Sequence, residues 1–266
     1  MLSLLPMFIR VRAGMMQKIK KQRYTVPDIV RGIAVLMMIA YHTMWDMVYL
    51  FGVSIPWMKT DAGVVFQQSI CWSFILISGF CFQLGRKKLR RALIVIACSL
   101  VLTAITAIVM PESIIIHGVL SLIGSSMLIA IPLDKLLKKI NPIVGIKVSF
   151  LLFVLLFNIT KGVIGIGNLT FLTLPESLYV NTITAFFGFP QSDFFSTDYV
   201  PFFPWVFLFF TGYFAYSFLM RKNKIDILSV FSCRPLEFIG RHSLEIYMVH
   251  QPIVYGILFF IFSVYN

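Results

Sequence analysis

The sequence predicts an all-α, polytopic membrane protein with about seven transmembrane helices. Hydrophobic residues make up 59% of its 266 residues, and charged residues make up only 13%. Soluble domains average about 25% charged residues, so a soluble protein is excluded. Long apolar runs also recur, and about 20 such residues span the hydrocarbon core as a helix. The runs lie at 28–50, 66–84, 92–110, 114–132, 143–160, 200–219 and 243–263.

The placement of basic residues predicts the orientation in the membrane. If the N-terminus is cytoplasmic and the runs alternate, only Lys59 and Lys161 of the 23 Lys and Arg face outward. This asymmetry follows the positive-inside rule and predicts N-in, C-out. The net charge of +12 therefore reflects topology, and we expect no nucleic-acid partner. The basic clusters lie at 18–23, 86–91, 135–139 and 221–224.

The domain organisation is simple. Residues 1–25 form a basic cytoplasmic segment, and 26–266 form a single transmembrane domain. The opening MLSLLPMFIRVRAG lacks the basic start and long apolar core of a cleavable signal peptide, and Met15 or Met16 is an alternative start. The four cysteines show no CxxC or metal-ligand spacing, so we expect neither disulfides nor a metal site.

One long segment without a spanning run, residues 161–199, separates the fifth and sixth runs and is predicted to lie outside. It is rich in Gly, Thr, Asn, Pro and Phe, and it carries no basic residue after Lys161. A loop of this length is usually functional or has short structure of its own. The sequence of residues 178–189 predicts a short re-entrant or interfacial helix. The loop is either a passive lid or a substrate-binding element.

The first apolar run, DIVRGIAVLMMIAYHTMWDMVYL, contains ionisable residues that are costly in hydrocarbon. At about 100° per residue, Arg31, His42 and Asp46 share one helix face. His42 and Asp46 are four residues apart, so a carboxylate can orient an imidazole for proton transfer. Arg31 lies roughly 16 Å nearer the cytoplasm and suits phosphate recognition. The alternatives are that His42 only hydrogen-bonds a neighbouring helix and that Arg31 only reaches the interface.

The last run supplies a second polar face, with Ser243, Tyr247 and His250 on one side of the helix. Pro252 has no backbone N–H, which frees the carbonyl of Met248. His250 is therefore expected either to bond that freed carbonyl or to contact a ligand.

Three further residues are placed toward the outside by the predicted topology. His117 lies near the outer end of the fourth run, within HGVLSLIGSS, where small residues also favour close helix packing. Asp198 and Tyr199 lie at the outer mouth of the sixth run, where prolines and aromatics hold them rigidly. All three are candidates for contact with an external substrate.

Together these stretches resemble the heparan-α-glucosaminide N-acetyltransferase catalytic-domain family in its small bacterial form. The resemblance covers most of residues 26–258, and its first and last motifs are also similar to those of membrane-bound sugar acyltransferases. It rests on the motifs DIVRGIAVLMMIAYHTMWD, FILISGF, HGVLSLIGSSMLI, DYVPFFPW and GRHSLEIYMVHQP.

The resemblance implies an acyltransferase-like domain in the cell membrane that moves an acetyl group from cytoplasmic acetyl-CoA to an external sugar or amino sugar. His42 with Asp46 is then the catalytic pair, with the histidine as nucleophile or general base. The remaining candidates divide into a cofactor group and an acceptor group. The cofactor group is Arg31, Ser243, Tyr247 and His250; the acceptor group is Asp198, Tyr199 and His117.

Two other functions stay open at this stage. A proton-coupled transporter or flippase could use the same intramembrane His and Asp, although no inverted repeat is visible. An accessory subunit would leave the polar face of the first run unexplained. The predicted partners are the lipid bilayer and a glycan acceptor, and a homo-oligomer is left open.

Overall fold

The structure is a computed structural model that describes residues 24–265. The basic cluster at 18–23 and the segment compared with a signal peptide lie outside the described residues. Within residues 24–265 the chain forms nine α-helices and two short strands. The helices are α1 (Thr25–Tyr49), α2 (Asp61–Phe82), α3 (Lys88–Val109), α4 (Val119–Leu137), α5 (Pro142–Leu155), α6 (Thr182–Phe187), α7 (Phe202–Arg221), α8 (Arg234–Arg241) and α9 (Ser243–Tyr265).

Seven of these helices are long and apolar enough to cross a membrane, which confirms the polytopic helical fold. They are α1, α2, α3, α4, α5 with the turn that continues it to Lys161, α7 and α9. Helices suit this setting because each satisfies its own backbone hydrogen bonds, which hydrocarbon cannot do. The chain is therefore a multi-pass membrane protein.

Helix α4 starts five residues later than the apolar run at 114–132 predicts. His117 adopts a left-handed backbone conformation, with φ of 55°, just before the helix begins. The helix then continues to Leu137 because an ion pair at 3.0 Å with Lys88 of α3 neutralises the Asp134 carboxylate. Hydropathy alone predicts the wrong bounds for this helix. It counts residues 114–118 as helical and takes no account of the ion pair between Asp134 and Lys88.

The outer segment carries structure that the all-α prediction did not include. Strands β1 (Val163–Ile166) and β2 (Leu169–Thr173) form an antiparallel hairpin. Gly167 takes a φ of 58° in its turn, a conformation that costs glycine little. The short helix α6 lies within the predicted 178–189 stretch, and the Asn181 side chain caps its first backbone N–H groups.

The apolar core is centred on the contact between α2 and α7. A Cβ atom on Gly79 would lie 1.9 Å from the Phe209 carbonyl oxygen, and one on Gly212 would lie 2.0 Å from the Leu76 carbonyl oxygen. The two backbones therefore touch where glycine leaves room, as is common between membrane helices. We call this contact the α2–α7 interface; the fully buried rings of Phe82, Phe209 and Tyr213 lie beside it.

The polar connections gather at two opposite ends of the bundle. At one end, which we call the basic end, Lys88 and Lys138 both pair with Asp134, and Arg221 donates to the carbonyl groups of Lys138 and Ile140. At the other, which the predicted topology places outside and which we call the outer end, the Val200 N–H donates to the His117 carbonyl, and Phe51 stacks on Phe262. This arrangement brings the basic clusters at 86–91, 135–139 and 221–224 to the same end.

Candidate active site

Helix α1 carries the polar residues of the site, and α8 fixes its position. A Cβ atom on Gly32 would lie 2.2 Å from the Leu236 carbonyl oxygen, and one on Gly240 would lie 1.8 Å from the Asp28 carbonyl oxygen. Helix α8 therefore packs directly on the first turns of α1. Helix α9 starts immediately after α8 and runs beside the second half of α1.

His42 of α1 and His250 of α9 are in contact near the middle of the bundle. Their ring centroids are 5.0 Å apart, with an angle of 55° between the ring planes. The His250 Nδ1–H donates to the Tyr247 carbonyl oxygen at 2.7 Å. The expected partner was the Met248 carbonyl that Pro252 frees; the side chain instead reaches back three residues to Tyr247.

Asp46 is fully buried and bonds α9 rather than His42. Its Oδ1 accepts a hydrogen bond from the Gln251 Nε2 at 2.8 Å. Within residues 24–265, Asp46 Oδ2 and Gln251 Oε1 have no hydrogen-bond partner. The direct carboxylate–imidazole pair suggested by the four-residue spacing is therefore not formed in this structure.

These contacts define the α1–α9 interface, made of His42 and Asp46 on α1 facing His250 and Gln251 on α9. It contains three buried atoms without partners among the described residues: His250 Nε2, Asp46 Oδ2 and Gln251 Oε1. All three are hydrogen-bond acceptors when Asp46 is ionised and His250 is neutral. A buried polar group left unpaired is costly, so a cluster of them indicates a site that binds donors or moves protons.

Asp198 contacts α9 beside this interface, through Tyr247. The Tyr247 hydroxyl donates to Asp198 Oδ2 at 3.2 Å, and the Val119 N–H in the first turn of α4 also donates to this carboxyl group. Burial raises the pKa of Asp198 to about 6. The sequence placed Asp198 at the mouth of α7; the structure places its carboxyl group inside the bundle, against α9.

Tyr199 and His117 hold the outer segment together. The Tyr199 hydroxyl donates to the Ala185 carbonyl of α6. The His117 Nε2–H donates to the Thr182 carbonyl at 2.9 Å, and its ring lies against Phe186. Burial lowers the pKa of His117, which favours the neutral ring. Both residues thus connect α6 to the segments that lead into α4 and α7.

Arg31 lies at the basic end, and a second arginine accompanies it. Its Nη1 is 3.5 Å from Asp28 Oδ1. Arg31 and Arg91 of α3 interact electrostatically, and both interact with the Cys81 thiol of α2. Sequence reasoning missed Arg91, because one arginine in a basic run looks like any other.

The predicted cofactor group is therefore divided between two places. Arg31 lies among basic residues, and Ser243 begins α9. Tyr247 and His250 instead contact Asp198 and His42. Gln251, which bonds Asp46, was also missed, although it follows His250 directly in the sequence.

Within the described part of the chain, no group of three or more His, Cys, Asp or Glu could hold a metal ion. Cys71, Cys81, Cys98 and Cys233 are free thiols.

A family model described as heparan-α-glucosaminide N-acetyltransferase, catalytic, matches residues 23–252. The chain belongs to this family. The matched range extends from α1 into α9 and includes every residue of the α1–α9 interface. Membership identifies a transferase, in a family of membrane acetyltransferases. No curated protein and no solved structure matches the chain.

Proposed function

We propose that this protein transfers an acetyl group from acetyl-CoA, bound from the cytoplasm, to a sugar or amino sugar outside the cell membrane. The observation that carries the proposal is the position of His42. It lies on the helix that carries Arg31 at the basic end and contacts His250, which is one turn from Tyr247, the residue that bonds Asp198. A proton-handling group in this position would serve both a cofactor bound at the basic end and an acceptor bound near Asp198.

The basic end suits the phosphate groups of coenzyme A. Arg31 and Arg91 lie close enough to repel each other, and a bound anion would relieve that repulsion. Guanidinium groups bind phosphate oxygens through paired N–H donors. Arg31, Arg91 and Ser243 are therefore proposed to hold the nucleotide part, while Tyr247 lines the path of the acyl arm.

The separation of the two parts fits an extended arm. Arg31 and His42 are eleven residues apart on α1, a rise of roughly 16 Å. A thioester at the tip of a long pantetheine arm would reach His42 while its phosphates stay at Arg31. Acetyl-CoA supplies the activated acetyl group, and the protein supplies orientation and proton transfer.

His42 is proposed to act as general base or as nucleophile. As a base, it takes the proton of the acceptor N–H or O–H while the new C–N or C–O bond forms and the C–S bond breaks. The departing thiolate then receives that proton from His42. As a nucleophile, His42 attacks the thioester carbonyl, the C–S bond breaks, and the departing thiolate takes up the imidazole proton. The acceptor N–H or O–H then attacks the acetyl-imidazole, the bond from the acetyl carbon to the imidazole nitrogen breaks, and the acceptor proton returns to His42. Asp46 supplies negative charge one turn away on α1 in either case.

The acceptor is proposed to enter from the outer end. Asp198 has a buried carboxyl group at the start of α4, and Tyr199 and His117 both hydrogen-bond α6 of the 161–199 segment. Hydroxyl-rich sugars carry donors that match a carboxyl acceptor. A homo-oligomer remains compatible with this proposal.

A proton-coupled transporter is the second candidate, and the unpaired Asp46 Oδ2 and His250 Nε2 favour it. Buried titratable groups inside a membrane protein commonly carry protons. A transporter function does not explain the arginines at the basic end.

The test is incubation of the purified protein with radiolabelled acetyl-CoA and a panel of amino sugars and surface glycans. We expect label on at least one sugar. If no acceptor is labelled, and proteoliposomes instead show solute uptake driven by a proton gradient, the transferase proposal is wrong and the transporter is favoured.

A further inference from the structure

The hydrogen bond of His250 determines which of its nitrogens carries the proton. Nδ1 lies 2.7 Å from the Tyr247 carbonyl oxygen, which can only accept, so Nδ1 is the protonated nitrogen. In the neutral ring, Nε2 must then carry a lone pair. Nε2 is buried and has no hydrogen-bond partner among the described residues. His250 thus presents an unpaired acceptor inside the bundle.

The ring beside this acceptor is His42. At a centroid separation of 5.0 Å, two imidazoles can come within hydrogen-bonding reach through a change of side-chain angle alone. Catalytic hydrogen bonds are often loose without substrate and tighten in the reacting complex. The Asp46 Oδ1 accepts a hydrogen bond from Gln251 on α9, and the direct bond between Asp46 and His42 is not formed in the structure.

We propose that His250 is a positioning residue that accepts a hydrogen bond from His42 once His42 has taken the acceptor proton. This inference rests on the proposed transferase function. The acceptor proton moves to His42, the resulting imidazolium donates an N–H to His250 Nε2, and the proton then passes from His42 to the departing thiolate. No proton is gained or lost overall, and His250 touches neither the acetyl group nor the acceptor.

His250 Nε2 is an unpaired acceptor on the ring that directly contacts His42. The groups near the two rings are hydroxyl, thiol and carboxyl groups, and the described arginines near α1 lie at the basic end with Arg31. A cation formed on His42 would therefore rely on nearby acceptors. The titratable groups around the two rings are Tyr41 and Asp46 on α1, Cys71 on α2, Tyr247 on α9, and Asp198 at the outer end.

Two substitutions distinguish the roles of the two ring nitrogens of His250. Nδ1 bonds the Tyr247 carbonyl, and Nε2 is the unpaired acceptor. In His250→Asn, the amide NH₂ can replace Nδ1–H and keep the bond to the Tyr247 carbonyl, but nothing replaces Nε2. In His250→Gln, the longer side chain returns a polar atom near the Nε2 position. Ile253→Ala, on the exposed side of α9, controls for expression and insertion.

We expect His250→Asn to lower kcat roughly 10- to 100-fold while KM for acetyl-CoA changes by less than about threefold, since one hydrogen bond to a charged group is lost. His250→Gln should recover part of kcat. The acid limb of the pH–rate profile should move to lower pH in His250→Asn, because the protonated form of His42 loses its acceptor. Thermal unfolding in detergent checks that both variants are folded.

Unchanged kcat and an unchanged pH profile in folded His250→Asn would make His250 a structural residue and overturn the inference. A rise in KM without a fall in kcat would assign it to the cofactor instead. Both results leave the proposed function intact, provided that the wild type transfers acetyl groups. Absence of transfer by the wild type itself is the separate failure of the proposed function.

Discussion

The α2–α7 and α1–α9 interfaces are both built from membrane helices, yet their chemistry differs. In the α2–α7 interface, Gly79 and Gly212 let two backbones touch, and aromatic rings fill the space beside them. The α1–α9 interface instead buries a carboxylate, a histidine and an amide with acceptors left unpaired. The α2–α7 interface is closely packed, whereas the α1–α9 interface keeps reactive groups buried at a cost in folding stability. Substitutions should therefore distinguish the two interfaces. Those in the α2–α7 interface should change stability, and those in the α1–α9 interface should change the reaction rate.

The largest effect is expected for His42→Ala. Turnover should fall by about 10²–10⁴-fold, the usual value of general-base help, because the group proposed to remove the acceptor proton is lost. Acetyl-CoA binding should stay close to wild type, since the phosphates are held roughly 16 Å away. Rate and bound acetyl-CoA are measured in the same preparation, with Met44→Ala, on another side of α1, as the control. Near-normal turnover would move the chemistry to another residue.

Arg31→Ala should affect binding rather than chemistry. Loss of one hydrogen bond to a charged phosphate costs about 1.5–3 kcal/mol, so the acetyl-CoA Kd should rise roughly 10- to 150-fold. Arg31→Lys should restore only part of the acetyl-CoA affinity, because lysine lacks the planar guanidinium group with its paired N–H donors. Arg90→Ala, an exposed neighbour in the 86–91 cluster, is the matched control. An unchanged Kd would show that Arg31 only anchors α1 at the interface.

Gly212→Ala tests the other interface. The added Cβ would lie 2.0 Å from the Leu76 carbonyl oxygen, so α2 and α7 must separate. Overpacking of this kind costs about 1–3 kcal/mol, seen as a lower midpoint of thermal unfolding in detergent. Gly256→Ala in α9 is the control, because nothing lies within 4 Å of its added Cβ. Equal midpoints for the two variants would contradict the close packing described for α2 and α7.

The smallest effect concerns pH and Asp198. Its pKa is about 6 in the folded protein, above the ordinary value of 3.8, so the folded state holds a proton that the unfolded state has lost. Stability from this group is therefore present at low pH and lost as the pH rises to about 6. The loss between pH 5 and 7 should be about 1 kcal/mol, and Asp198→Asn should remove it.

Unfolding midpoints at several pH values measure the difference between wild type and Asp198→Asn. The exposed Asp193→Asn in the same outer segment is the control and should follow the wild-type curve. A wild-type curve that coincides with that of Asp198→Asn would show that this carboxyl group is not shielded from water.

Local sequence signals predicted the helices better than the site. Apolar runs locate seven spans because each helix satisfies its own backbone, whatever its neighbours are. The β1–β2 hairpin was missed because its strands are short and β2 is exposed, so neither shows an alternating pattern. His42 and His250 were both identified, since ionisable residues stand out in hydrocarbon. Their contact was not, because it depends on how α9 packs on α1 across more than two hundred residues of chain.

The same limit explains the other differences. Asp46 and Gln251 are 205 residues apart in the sequence. The sequence therefore suggested His42, only four residues away, as the partner of Asp46. The inward position of Asp198 depends on α4 starting late, which brings the Val119 N–H to its carboxyl group. Each of these features is set by tertiary packing rather than by periodicity.

The central claim is that the α1–α9 interface connects a cofactor on one side of the membrane with an acceptor on the other. The most direct measurement uses sealed proteoliposomes that hold radiolabelled acetyl-CoA on the side of the basic end and an impermeant amino sugar on the other side. The account predicts label on the sugar across the intact membrane with wild-type protein and none with His42→Ala. Transfer that occurs only when both substrates share one side would contradict it.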